Sequence, residues 1–285
     1  MSGLLALGDN TLDVYAESGM QYPGGNALNV AVLARRLGQQ AAYLGCIGQD
    51  AGGAHLRAVL EREQVETSRL RVRSGRTART LIGHVGGERR FLAADHGVRA
   101  EYALEAADYR YVARHALTHL SVHGEVETCL PRLRAAAPLI SFDFSDCWDE
   151  AMLTRMLPFI DIPFLSAADL PADSCRALLQ RCIAGGARLA VVTRGHAGAI
   201  ALAVDGVRPP GFFEQPAIDA VMLDTLGAGD GFIAATLVGW LRREPLVQVF
   251  SAAAGYAAQI CGWMGAFGCG RRTEEGDIET LRAIA

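Results

Sequence analysis

Two aspartates bracket a run of small residues in DTLGAGDGFIAATLVGWL, Asp224 to Leu241. Behind them Phe232, Ile233, Leu237, Val238 and Leu241 recur at helical spacing, which predicts an amphipathic helix with Asp230 at or just before its first turn. Gly227, Ala228 and Gly229 would leave backbone N–H groups uncovered, and the positive end of the helix dipole adds to them, so an anion can be held there without a lysine. A carboxylate beside such a pocket can take the proton of an attacking hydroxyl while the donors stabilise a phosphoryl group in transfer. A glycine turn with an aspartate as N-cap would show the same pattern.

The chain has 285 residues and no lysine, so all 27 basic residues are arginine. This excludes a P-loop, a pyridoxal Schiff base and the nucleotide site of protein kinases, each of which needs its lysine. Phosphate must be handled by backbone, arginine or metal. A net charge of -4 argues against nucleic acid as a partner and leaves small molecules. The start, MSGLLALGDN, lacks the basic flank of a signal peptide, and no apolar run approaches the ~18 residues needed to span a bilayer, so a cytoplasmic protein without membrane attachment is expected. Seven cysteines without C-x-x-C spacing read as reduced thiols.

Carrying these residues requires a scaffold, and the chain alternates strand and helix. LLALGD, AAYLGCIG, ALTHLSVHG, PLISFDFS, DIPFLSA and LAVVTRG read as strands; GGNALNVAVLARRLG, AGGAHLRAVLEREQV and PADSCRALLQRCIAGG read as helices. The alternation predicts an α/β fold of three layers, a doubly wound and mostly parallel sheet covered on both faces. Two segments, about 11–23 and 71–97, are β-rich instead, the second around a hairpin signal at Gly86-Gly87. They hold too little apolar bulk for a domain, so they are expected as a small lid sheet inserted into one domain over 1–285. Exposed lid edges would suit pairing with a second copy, a homodimer. His115, His119 and His123 fall four apart, but the segment reads as a strand, which misaligns them as metal ligands.

Taken with YPGGNALNVAVLARRLG near the start, DTLGAGDGFIA resembles the paired signatures of the ribokinase/PfkB carbohydrate kinases, with TARTLIGHVGGERRF as lid and VVTRGHAG as the nucleotide-side strand and turn. HGVRAEYALEAADY and FDFSDCWD are similar to the branch that phosphorylates fructoselysine at its 6-hydroxyl. The resemblance implies a ribokinase-like fold, ATP and Mg²⁺ as cofactors with room for K⁺, and a sugar substrate. It implies Asp230 as the base, Gly227, Ala228 and Gly229 as the anion hole, and Asp9, Asp13, Gly24, Gly25 and Asn29 on the sugar side. Thr193, Gly195, Asp224 and Thr225 fall on the ATP side. Where many members carry N-x-x-E, this chain has Ser166 and Asp169, so Asp169 is expected to reach Mg²⁺ through water. Where members often carry D-x-N, it has Asp143-Phe144-Ser145. Arg79, Arg90 and Arg99 are candidates for the carboxylate of an amino-acid tail, and Asp95, Glu101 and Glu125 for its ammonium. Other readings are a kinase of ribose, fructose, 2-keto-3-deoxygluconate or a nucleoside, and a non-catalytic sugar or nucleotide sensor. A dinucleotide dehydrogenase lacks its G-x-G-x-x-G after the first strand.

Overall fold

A computed structural model describes residues 3–85, 88–101 and 103–284. Its main sheet is built from β1 (Leu4–Leu7), β4 (Ala41–Leu44), β9 (Leu117–Ser121), β10 (Ile140–Asp143), β11 (Ile162–Ser166), β12 (Leu189–Thr193), β13 (Ala199–Ala203) and β14 (Gly211–Gln215). The spatial order is β14-β13-β12-β11-β10-β9-β1-β4, parallel from β4 to β12 and antiparallel at the β13 and β14 edge. The strands of its parallel part are almost wholly buried, as expected when both faces are covered.

Alternation along each strand divides the core in two. Leu4, Ala6, Tyr43, Phe164 and Val191 face α1 (Asn26–Arg36), α2 (Ala51–Arg62), α7 (Ala228–Leu241) and α8 (Leu246–Ile260). Leu5, Leu7, Leu44, Phe142 and Val192 face α3 (Ala106–Val112), α4 (Leu130–Ala136), α5 (Glu150–Met156) and α6 (Ala172–Ala184). A three-layer αβα body results. The helix expected to be amphipathic, α7, is buried along its length from Gly231 to Trp240, because it runs between α1 and α8.

A five-stranded sheet holds β2 (Thr11–Tyr15), β3 (Met20–Gly24), β7 (Arg79–Val85) and β8 (Glu88–Asp95), in the order β15-β3-β2-β7-β8. Its remaining strand, β15 (Arg271–Arg272), comes from the far end of the chain, next to α9 (Asp277–Arg282). Of the expected lid segments, β6 (Arg71–Arg73) pairs elsewhere, with β5 (Cys46–Gly48). The Gly86-Gly87 turn lies outside the described residues.

The turn from β3 into α1 sets the position of the site. Gly25 caps α1 at φ 97°, ψ 131°, and a Cβ there would stand 2.6 Å from the Asn10 Cα. Backbone of this kind is open to glycine alone. Gly25→Ala is expected to lower the unfolding free energy by about 2 kcal/mol, measured by urea denaturation; an unchanged midpoint would show that the turn is not constrained.

Candidate active site

The six parallel strands end on one side of the sheet, and five of them are closed there by a polar group. Asp9 follows β1; Ser121, Asp143, Ser166 and Thr193 end β9, β10, β11 and β12. The winding reverses at β1, since the chain goes first to β4 on one side and later to β9 on the other. Open α/β sheets bind ligands outside such a reversal.

At this point Asp9 turns its carboxylate onto the first turn of α1. Oδ2 accepts from the Asn26 N–H at 2.6 Å, Oδ1 from the Ala27 N–H at 3.3 Å, and the Ser121 hydroxyl donates to Oδ1 at 2.8 Å. Asp9, expected on the sugar side, thus spends both oxygens fixing α1 against β9. Asn26 and Asn29 then project from α1 toward the start of α7. Asn29 Nδ2 donates to Asp230 Oδ2 at 2.7 Å, and Asn26 Nδ2 donates to Asp230 Oδ1 at 2.8 Å and to Asp143 Oδ2 at 2.9 Å. Asn26 cannot turn over, because its Oδ1 lies 2.9 Å from Nε2 of the buried His119, whose Nδ1 lies 3.0 Å from the Ser141 hydroxyl. Burial holds His119 neutral, with its pKa pushed down to about 3. A neutral ring donates from Nε2 and accepts at Nδ1, which fits both partners.

Helix α7 begins at Ala228, two residues earlier than the apolar spacing suggested, because Gly227 at φ 79° serves as its cap. A Cβ on Gly227 would stand 2.5 Å from the Ala266 Cα, so the turn requires glycine. Asp230 therefore occupies the third position of the helix, half-buried. Asp224 shapes the approach: Oδ1 accepts from the Leu226 N–H at 3.0 Å, Oδ2 from the Gly265 N–H at 2.9 Å and from the Tyr15 hydroxyl on β2. The carbonyl of the exposed Thr225 accepts from the Ala228 N–H at 3.3 Å. A Cβ on Gly229 would meet nothing within 4 Å, so the helix start faces open space.

The remaining expected residues divide by location. Asp13 is buried on β2 against Gly24, where a Cβ would collide with its carboxylate. Thr193 ends β12, its hydroxyl 3.3 Å from that of Ser166, and Gly195 opens the exposed turn that follows. Asp169 is exposed in the turn after β11. Arg79 is not an open tail partner: it is 1% exposed, between Asp50 and Asp277, each 3.4 Å away. His96 pairs with Glu125 at 2.8 Å and Arg99 donates to the His123 carbonyl at 2.6 Å, while Asp95 accepts from the Gly97 N–H. The Glu101 side chain lies outside the described ones. Asn26, His119 and Asp143 were missed as members of the cluster; Asn26 stands inside the GGNALN stretch, and only its three-residue spacing from Asn29 hinted at a shared face.

The sequence matches the pfkB family carbohydrate kinase pattern over residues 6–271. The chain belongs to the pfkB family. This kinase is 38% identical to the fructosamine kinase FrlD of Bacillus subtilis, over 99% of each chain. It is 34% identical to the fructoselysine 6-kinase of Escherichia coli, over 94% of this chain and all of that one. In fold it is similar to Arabidopsis thaliana ribokinase complexed with ribose and ATP, at a TM-score of 0.80, 18% identity and coverage of 100% and 99%. The kinase is thus an ATP-dependent carbohydrate phosphotransferase.

Burial and mutual repulsion act on the carboxylates of its site. Burial raises the Asp230 pKa to about 6, opposed by the Asn29 amide and reinforced by Asp9. Burial likewise raises Asp143 to about 7, opposed by the Ser145 N–H and reinforced by Asp230 and Asp9. A carboxylate with a raised pKa favours folding when protonated, below its unfolded value, and loses that contribution as pH rises through its folded value. The stability of Asp230→Asn relative to wild type should therefore grow by up to about 3 kcal/mol between about pH 4 and about pH 7. Thermal or urea unfolding across that range checks it; a constant difference would mean that Asp230 titrates normally.

Proposed function

We propose that this kinase transfers the γ-phosphoryl group of ATP to the 6-hydroxyl of fructoselysine, with Asp230 as the general base. The observation that carries the reading is the carboxylate of Asp230, oriented through both oxygens by two asparagine amides, in the first turn of a glycine-capped helix. The names of the two relatives, fructosamine kinase and fructoselysine 6-kinase, support the substrate.

In this reading Asp13, Gly24, Gly25 and Asn29 form the sugar side, and the lid closes over it to keep water from the phosphate. Backbone N–H groups of Gly227, Ala228 and Gly229 hold the γ-phosphoryl oxygens, that of Ala228 giving up its 3.3 Å bond to the Thr225 carbonyl, with α7 contributing its positive end. Asp230 accepts the proton of the 6-hydroxyl as that oxygen bonds to phosphorus; the bond from phosphorus to the β,γ-bridging oxygen breaks and ADP leaves. Thr193, Gly195, Asp224 and Thr225 line the nucleotide side.

Mg²⁺ usually keeps several waters and binds through phosphates and one or two carboxylates. The strand-end edge suits this: Asp169 is exposed, and among the described residues no cluster of three or more His, Cys, Asp or Glu could cage a metal. Asp169 would hold the ion through water, and the ion would neutralise charge on the phosphates. K⁺ would sit near the Asp224–Thr225 turn. The outer lid strand β8, with Phe91 exposed, offers a second copy an edge for a homodimer. Seven free cysteines suit the reducing cytoplasm, where ATP is available.

Asp230→Asn should lower kcat by about 10² to 10⁴ with little change in KM, read by coupled ADP release on fructoselysine. Wild-type kcat/KM should rise with pH through about pH 6, where Asp230 becomes the free base. A variant that keeps its kcat would remove Asp230 from the mechanism.

A further inference from the structure

Asp9, Asp143 and Asp230 converge on the start of α1, and among the described residues none forms an ion pair with an arginine or histidine. Elsewhere the chain pairs its buried carboxylates freely: Asp108 with Arg69 and Arg71, Asp161 with Arg134, Asp277 with Arg76. Gathering carboxylates away from water without a cation is unfavourable, and a ligand that brings one relieves it.

We propose that Asp143 is the specificity-determining residue that takes the secondary ammonium of a fructosamine substrate. The inference rests on the proposed 6-kinase reading and deepens it. Elimination among the three carboxylates leads to Asp143. Asp9 is committed to two backbone N–H groups and a hydroxyl. Asp230 holds two amides and must still receive the reacting hydroxyl. Asp143 is 9% exposed and uses one oxygen for Asn26 and the other for the Ser145 N–H at 2.9 Å, which leaves each oxygen a further lone pair.

The placement fits the chemistry of the sugar. Asp143 and Asp230 share one amide nitrogen, so their nearer oxygens are neighbours across the Asn26 side chain. In a ketofuranose, C1 and C6 hang from the two carbons that flank the ring oxygen. A ligand whose 6-hydroxyl meets Asp230 therefore carries its C1 substituent a few ångströms away, on the scale that separates the two carboxylates. In a fructosamine that substituent is a protonated amine; in fructose it is a hydroxyl. Ser145, held at φ 53°, keeps the Asp143 carboxylate turned by donating its N–H. Burial first, and then the neighbouring carboxylates of Asp230 and Asp9, raise the Asp143 pKa.

The test is a cycle of two enzymes and two substrates: wild type and Asp143→Asn, each with fructoselysine and with an analogue in which an ether oxygen replaces the secondary amine. Wild type should lose about 100-fold in kcat/KM on the ether, mainly through KM, and Asp143→Asn should treat amine and ether alike. Equal losses by the variant on both substrates would assign Asp143 a structural role and overturn the inference while leaving the kinase reading intact. Wild type that phosphorylates fructoselysine yet does not distinguish it from the ether also overturns it, and this comparison decides the matter if the variant fails to fold. Wild type that phosphorylates neither would overturn the substrate reading and the inference together.

Discussion

Three carboxylates meeting at the N-terminus of one helix form the constraint on which the site depends. Asp9 makes this possible by giving α1 the cap that Gly25, with no side chain, cannot provide. With α1 fixed against β9, Asn26 and Asn29 stand at defined positions, and their amides orient Asp230 across the gap to α7. The asparagines offer hydrogen bonds without positive charge, so the carboxylate is held in place yet stays more basic than a paired aspartate would be. A lysine or arginine in their place would hold Asp230 as well and weaken it as a base.

Topology brings these pieces together. The reversal of winding at β1 opens the crevice beside β9, and α7, although distant in sequence, is buried between α1 and α8 so that its first turn reaches the same crevice. The five-stranded sheet is tied to both ends of this arrangement. β3 runs directly into α1, and Tyr15 on β2 donates to Asp224 ahead of α7. The small sheet is thereby joined to the turn that precedes α7.

Much of this was legible in the sequence because it depends on local pattern. Alternating apolar runs and helices gave the layered α/β body, and the glycine-rich turn ahead of an apolar helix gave the position of Asp230. What escaped depends on contacts between distant segments. The pairing of Arg271–Arg272 with β3 spans nearly the whole chain and involves two residues without strand-like apolar character. Asp143 ends one ordinary buried strand and His119 lies in the middle of another, and their roles appear only when β9, β10 and α1 meet. Arg79 looked like an open cation because its burial comes from Asp50 and Asp277, which lie 29 residues before it and near the chain's end.

The most direct test of the central claim is a crystal structure of the kinase with fructoselysine and a non-hydrolysable ATP analogue. The account expects the 6-hydroxyl oxygen within about 3 Å of an Asp230 carboxylate oxygen and the terminal phosphate on the N–H groups of Gly227 to Gly229. A terminal phosphate bound away from the start of α7, or a sugar hydroxyl facing another carboxylate, would contradict it.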